Sequence, residues 1–379
     1  MSNPVRIFVA GDFCCKPSTS LLSVSEELRR LLQTCDIRIC NFEFPLLPDG
    51  FNPPKANFQN DDTPDFLKDL GFNLFTLANN HTFDCGKDGF LKTSKALEGK
   101  TIGAGDLDEA YRPKIIESDG KRIAFLGLCY AAKEGVLDSY AEDQHYGSAY
   151  LYDNKVNHII INAKKEVDYL IVMVHDGMEY VDIPLPDTIT RYRDLIDYGA
   201  DAVIGTHPHC PQGWECYQGK PIFYSLGNFF FNSKGTTDTH TELPHWYEGL
   251  CVVLELEDHG IHYEVVNTLN QNNTSITIEH SSARDSHNQQ LCRYLEDHQA
   301  YQNYLQSSVF PILQKQDYLI LDASVHRKPF SKTLGIWFHR LGHLLTGRRH
   351  INDERMVNLL KNDARRNILL RLLKNNTNK

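Results

Sequence analysis

Short apolar runs bounded by polar turns recur along the first two-thirds of the chain, and their spacing separates strands from helices. "VRIFVAGD", from Val5, reads as a strand; "SEELRRLLQ" repeats its leucines at helical intervals behind a capping Ser25; "IRICNFE" reads as a second strand. The proline-rich loop "PLLPDGFNPPKANFQNDDTP" is longer than a connection needs, and such loops cover or form binding sites. Helix "DFLKDLG", strand "FNLFTLA", the polar turn "NNHTFDCG" and helix "KDGFLKTSKALEG" follow. "RPKIIESDGKRIAFLGL" predicts a hairpin about Asp119-Gly120, and "DYLIVMVHDG" a buried strand ending in His175. Helix "TITRYRDLIDYGA" leads to strand "DAVIGTHPH", and "KPIFYSLGNFFF", "GLCVVLELE" and "IHYEVVNTL" read as three further strands. Strand-helix alternation early and hairpins later predict a mixed α/β sandwich. The pattern turns helical near residue 284, which divides a sandwich domain, 1–283, from a basic helical C-terminal extension, 284–379.

Composition adds little to that picture and charge adds more. At 379 residues, 41% hydrophobic and 23% charged, the chain has the make-up of a globular protein with a large core. No apolar stretch approaches the roughly 18 to 20 residues of a membrane span, and the N-terminus lacks a basic segment followed by a long apolar one. The expectation is an uncleaved cytoplasmic protein. The ten cysteines sit inside apolar runs without a Cys-x2-Cys pair, which favours reduced, buried thiols over disulfides or a zinc knuckle. Net charge is −10, but residues 325–379 hold 13 Lys or Arg against 3 Asp or Glu, which leaves −20 on the rest. That acidic body argues against a nucleic-acid partner.

Candidate chemistry gathers at strand ends. In "GTHPH" an extended backbone points His207 and His209 to one face, a pairing that suits a metal, although an isolated His-x-His is more often a pair of solvated loop residues. The balance shifts because other apolar strands also end in ligand types: Asp12, Glu43, Asn80 with His81, and His175. Open α/β sheets bind ligands beyond the carboxyl ends of their strands. Carboxylate, amide oxygen and imidazole together suit Mn, Fe or Zn. A central carboxylate bridges two cations roughly 3.5–4 Å apart in hydrolytic sites, and Glu43 is the candidate bridge. Taken singly, Asp12 and Asp84 read equally as caps, Asn79 or Asn80 as turn formers, and Glu43 as half of a surface ion pair.

The ordered set "GD" (11–12), "NFE" (41–43), "LANNHTFDCG" (77–86), "HDGMEY" (175–180), "GADAVIGTHPHCPQ" (199–212) and "YSLGNFFF" (224–231) resembles the CapA-like poly-γ-glutamate capsule biosynthesis family. That resemblance implies a fold like the calcineurin-like metallophosphoesterases, an αββα sandwich of two mixed sheets flanked by helices. It implies two divalent metal ions, one among Asp12, Glu43 and His209, the other among Glu43, Asn80, His175 and His207. His81 would be the acid at the leaving group, Asp84 its orienting partner or a helix cap, and Glu179 a group fixing His175. Asn228, in a Gly-Asn turn, stays outside the metal set. Two positions depart from the phosphoesterase pattern: Cys14 stands where Asp-x-His has histidine, and Glu43 where aspartate is usual.

The function implied is a metal-dependent hydrolase acting on an anionic capsule-related polymer or precursor, at an amide or phosphoester bond. The alternative is a non-catalytic assembly or export component beside a polymer synthase complex. An ATP-dependent ligase is disfavoured because no Walker-type Gly-Lys-Ser/Thr loop is present. In the tail, "KTLGIWFHRLGHLL" places Leu334, Trp337, Phe338, Leu341, Leu344 and Leu345 on one helical stripe. Packing on a domain accounts for such a stripe; peripheral contact with the inner membrane face is the functional alternative.

Overall fold

The computed structural model describes residues 4–51, 57–130, 145–233, 243 and 245–309. The amphipathic stripe at 334–345 lies outside the described residues. The chain divides into two compact units, one of residues 1–131 and 138–296, the other of 132–137 and 297–379. In the second unit, Asp297 caps helix α8 (His298–Tyr304) through the Gln299 and Ala300 N–H groups, and one π turn follows at Leu305–Val309.

The first unit is built on two sheets. The larger contains β1 (Val5–Cys15), β2 (Ser23–Val24), β3 (Ile37–Phe42), β4 (Leu74–Thr76), β5 (Thr101–Ile102), β14 (Asn228–Asn232), β15 (Glu248–Glu257), β16 (Gly260–Gln271) and β17 (Ser275–Ile278). Its order is β2-β17-β16-β15-β1-β3-β4-β5, with β14 beside the C-terminal half of β1. The smaller contains β7 (Lys114–Ser118), β8 (Lys121–Tyr130), β10 (Tyr169–Asp176), β11 (Ala202–Thr206), β12 (Trp214–Tyr217) and β13 (Lys220–Phe223), in the order β12-β13-β11-β10-β8-β7. Both are mixed. β1, β3, β4 and β5 run parallel while β15 to β17 form antiparallel hairpins; β8, β10, β11 and β13 run parallel between antiparallel edges β7 and β12. The small pair β6 (Ala104–Gly105) and β9 (Gly147–Ser148) stands apart from both.

Side-chain alternation decides the layers. Ile7 and Val9 on β1 face inward with Ile39 and Leu74 and meet Phe125, Ile171, Met173 and Ile204 of the other sheet. Phe8 and Ala10, one residue out of phase, face outward under Leu28 and Leu32 of α1 (Glu26–Gln33), Leu67 of α2 (Thr63–Asp69) and Phe90 of α3 (Gly86–Ala96). On the far side Leu126, Val172 and Val203 face Val156 and Ile160 of α5 (Asn154–Lys164) and Tyr192 and Leu195 of α6 (Pro186–Asp197). Both faces of each central strand are therefore covered, which is why these strands read as nearly continuous apolar runs. The result is the mixed α/β sandwich expected from the pattern, in the αββα arrangement that the resemblance implies.

Local chemistry agrees with the predicted elements. Ser25 Oγ accepts the Leu28 N–H at the start of α1. Asp106 and Glu109 form a capping box on α4 (Leu107–Ala110). Asp119 (φ +46°) and Gly120 (φ +76°) make the tight turn that pairs Ser118 with Lys121. α7 (Ser282–Glu296) falls within the first unit.

One strand differs from expectation. "KPIFYSLGNFFF" is two strands in two sheets: β13 pairs with β11, and β14 pairs with β1. Between them residues 224–227 cross the sandwich, turning at Gly227 (φ +65°), where a Cβ would come within 2.8 Å of Pro211. An unbroken apolar run hides the break because the crossing segment is as buried as the strands it joins.

Candidate functional site

The carboxyl ends of the central parallel strands of both sheets converge. Asp12 lies on β1, Glu43 directly follows β3, Asn80 and His81 follow β4, His175 is the penultimate residue of β10, and His207 and His209 follow β11. All seven side chains are buried or nearly so; Asp12 and Glu43 are 0% exposed. Asp12, Glu43 and His175 each bring one ligand atom within 4.8 Å of the others, and Glu179, His207 and His209 do the same.

The two histidines after β11 do not continue the strand, contrary to the extended backbone expected of them. β11 ends at Thr206, and His207 (φ +100°) and His209 (φ +57°) adopt left-handed conformations that cost non-glycine residues about 1–3 kcal/mol each. The turn is held by the site itself: the His207 N–H donates to Asp12 Oδ2 at 3.0 Å, and the Tyr180 N–H donates to the Pro208 carbonyl at 2.8 Å. The rings end 6.0 Å apart between centroids.

Around His175, Nε2 lies 3.0 Å from Asn80 Oδ1 and 3.2 Å from His207 Nδ1, and Nδ1 lies 2.9 Å from Thr206 Oγ1. Burial, then the neighbouring imidazoles of His207, His209 and His81, push the His175 pKa well below its ordinary value, so its ring is neutral. Asp12 is pushed the other way by burial, against the opposing influence of His209, the Asn41 amide, the His207 N–H and Thr206. The 3.6 Å approach of His175 Nδ1 to Asp12 Oδ1 thus joins a neutral ring to a carboxyl group that is costly to ionise alone.

His209 has a defined tautomer. Asn228 Nδ2 donates to the carbonyls of His209 (3.2 Å) and Trp246 (3.0 Å), so its Oδ1 is the atom 2.9 Å from His209 Nδ1 and receives that N–H. His209 Nε2 then carries the lone pair, 3.6 Å from Glu43 Oε1. His81 is set in the same way: Nδ1 donates to Asp84 Oδ2 at 2.8 Å, and Nε2 faces Glu43 Oε1 at 3.8 Å. Asn57, from the proline-rich loop, donates to the same Asp84 oxygen at 2.9 Å, and Phe44 packs edge-on to His81 with centroids 4.5 Å apart.

This arrangement fits metal. Ligand atoms bonded to one ion at about 2.0–2.2 Å stand about 2.9–3.5 Å from one another. Asn80 Oδ1 and His207 Nδ1 each stand at that spacing from His175 Nε2, and Glu43 Oε1 lies just beyond it from His209 Nε2. A cation among them would hold Asp12 ionised and His175 deprotonated, opposing the cost of burying these groups.

Sequence reasoning passed over Asn41 and left Asn228 outside the metal set. Asn41 donates to Asp12 Oδ1 at 2.7 Å and is held by Asn79 Nδ2 at 3.0 Å; Asn228 is a site amide that orients His209. Strand alternation and the "NFE" and "LGN" contexts were the only signals, and a turn asparagine gives the same letters. Glu179 stands beside His207 and His209, whereas the groups hydrogen-bonded around His175 are Thr206, Asn41, Asn80 and His207. Cys14 packs with Phe44, Phe231 and Trp246, its thiol 3.9 Å from the Asn232 carbonyl.

Comparison with known proteins places these residues in a family. The capsule biosynthesis protein CapA of Bacillus anthracis is 31% identical over 230 residues, 57% of this chain and 55% of that protein. A protein of Mycobacterium tuberculosis named a probable polyglutamine synthesis accessory protein is 28% identical over 215 residues, 53% of this chain and 57% of that one. The chain thus spans about half the length of the curated relatives it matches. Among solved structures, a phosphatase of Mycoplasma pneumoniae aligns with 71% of this chain and 95% of its own at 13% identity and a TM-score of 0.43, a likeness too distant to bear on activity. The family model described as bacterial capsule synthesis protein PGA_cap matches residues 7–233, which run from β1 past β14 and hold every residue of the buried cluster, and the chain belongs to that family.

Proposed function

We propose that the chain is a metal-dependent hydrolase of capsule polymer metabolism, with two divalent Mn, Fe or Zn ions, one held by Asp12, Glu43 and His209 and the other by Glu43, Asn80, His175 and His207. The substrate proposed is an anionic capsule-related polymer or its precursor, cut at an amide or phosphoester bond. The observation that carries this reading is the meeting of Asn80 Oδ1 and His207 Nδ1 on His175 Nε2 at 3.0 and 3.2 Å, a spacing typical of atoms that share an ion. When bound, the metal pair supplies Lewis acidity and an activated water. Glu43 would contribute to both positions. His81 directs Nε2 inward and, as the imidazolium, would give its Nε2 proton to the departing group and become the neutral ring, while Asp84 keeps Nδ1–H and the ring in register.

Purified protein is expected to contain Mn, Fe or Zn and to turn over at least one member of a panel of γ-glutamyl and phosphoester substrates. Elemental analysis finding none of these metals, even after reconstitution, would overturn the reading. Asn228→Ala is expected to weaken metal binding about 10–100-fold, because it removes the acceptor that presents His209 Nε2; competition with a chromogenic chelator measures this.

A non-catalytic role beside a polymer synthase complex is the second reading, favoured by the accessory-protein name of the Mycobacterium tuberculosis relative. Full metal loading with no turnover across the panel selects it.

A further inference from the structure

A second set of ligand types lies outside the buried cluster. Asp182 follows the loop after β10, His245 precedes β15, and His287 sits on α7; each offers one ligand atom, and these atoms lie within 4.8 Å of one another. His245 and His287 lie beyond residue 233, where the family match ends. We propose that Asp182, His245 and His287 bind a further divalent ion, Zn2+ for preference, which clasps α7 to the two loops that wall the buried cluster.

The histidines are prepared for this role. His245 Nδ1 donates to Glu248 Oε2 at 2.7 Å, which leaves the Nε2 lone pair for a metal, the carboxylate-imidazole-metal arrangement common in zinc sites. The His245 and His287 rings stack 4.5 Å apart at 15°, a packing that two imidazolium cations would oppose. Burial and then Arg284 lower the His245 pKa, and burial, then His245 and Arg284, lower that of His287, in both cases against the opposing pull of Asp182. Arg284 itself is ion-paired with Glu248, which offsets its positive charge beside the site. Two imidazoles and a carboxylate form a three-ligand zinc set with one position left for water.

The placement ties this ion to the wall of the cluster. Tyr180, two residues before Asp182, stacks on His209 with centroids 6.2 Å apart, and Trp246, next to His245, packs on the same ring at 5.2 Å. Fixing Asp182 and His245 to α7 holds both aromatic residues against His209.

The test uses the full chain carrying Glu43→Gln, His175→Ala and His209→Ala, so that both positions of the buried cluster lose ligands and its failure as a hydrolase cannot be mistaken for failure here. Metal-free protein is titrated with Co2+ alone, read by visible absorption, and with Zn2+ alone, read by elemental analysis and thermal unfolding. The expected result is a Co2+ band, and a Zn2+-induced rise in melting temperature, that His287→Gln removes together with about one metal equivalent per chain. Asp182→Asn, which keeps the stacked rings, is the second variant should His287→Gln unfold, and is expected to weaken both signals at least tenfold in Co2+ or Zn2+ concentration. Metal content and Co2+ spectra unchanged in either variant would overturn the site and leave a stacked pair of neutral histidines.

Discussion

Replacing His81 with alanine is expected to lower turnover by about 10²–10⁴-fold while metal content stays at its original level. His81 is separated from the ligand atoms by the role proposed for it. Its Nδ1 is committed to Asp84 at 2.8 Å, and its Nε2 stands 3.8 Å from Glu43. Asn57 bonds the same Asp84 oxygen, so the carboxylate keeps a donor when the imidazole is removed. The loss should therefore fall on the proton given to the leaving group. Asp84→Asn should produce a smaller loss, since the amide oxygen can still accept Nδ1–H but the charge that favours the imidazolium acid is gone. Steady-state kinetics on any substrate found, with elemental analysis of the same samples, measures both. If His81→Ala strips a metal, the residue is a ligand and its assignment as acid is wrong.

Gly11→Ala is expected to destabilise the protein by about 3 kcal/mol or more, lowering the melting temperature by roughly 6 °C. A Cβ at this position would stand 1.9 Å from the Gly227 carbonyl oxygen, a backbone atom that already accepts the Asp12 N–H at 3.0 Å and cannot yield without breaking that bond. The same crossing segment presses on the other sheet: a Cβ at Gly205 would stand 2.1 Å from the Tyr224 carbonyl oxygen. β1 and β11 thus approach the 224–227 crossing only because each offers a glycine there, one residue before Asp12 and two before His207. A strand pushed off the crossing carries its site residue with it, so metal affinity should fall alongside stability. Gly50→Ala is the control: its φ of +73° carries about 1–2 kcal/mol of strain, but nothing lies within 4 Å of the added methyl. Thermal and denaturant unfolding decide; Gly11→Ala melting together with the parent would show that the crossing is looser than these distances imply.

Local rules read from the sequence were enough for the elements and their order. Ser25 before α1, Asp119-Gly120 in the hairpin, and apolar runs too continuous for a half-exposed strand each depend on a few neighbouring residues, so the chain specifies them without reference to distant partners. The gathering of Asp12, Glu43, Asn80, His81, His175, His207 and His209 was legible for a related reason: each follows an apolar strand, and parallel strands in adjacent layers present their carboxyl ends to one edge. What only the tertiary structure decided is how those ends are finished. That "KPIFYSLGNFFF" splits between two sheets depends on β1 and β11 offering glycines to the crossing, from positions more than 200 and about 20 residues away that no local pattern carries. The left-handed turns at His207 and His209 go against intrinsic preference and persist because the Asp12 carboxylate and the Tyr180 N–H hold them. Asn41, Asn228 and the Asp182, His245 and His287 group are ordinary polar letters in sequence; they acquire partners only when segments remote in the chain are packed together, because a hydrogen bond or a ligand set is a property of distances in space.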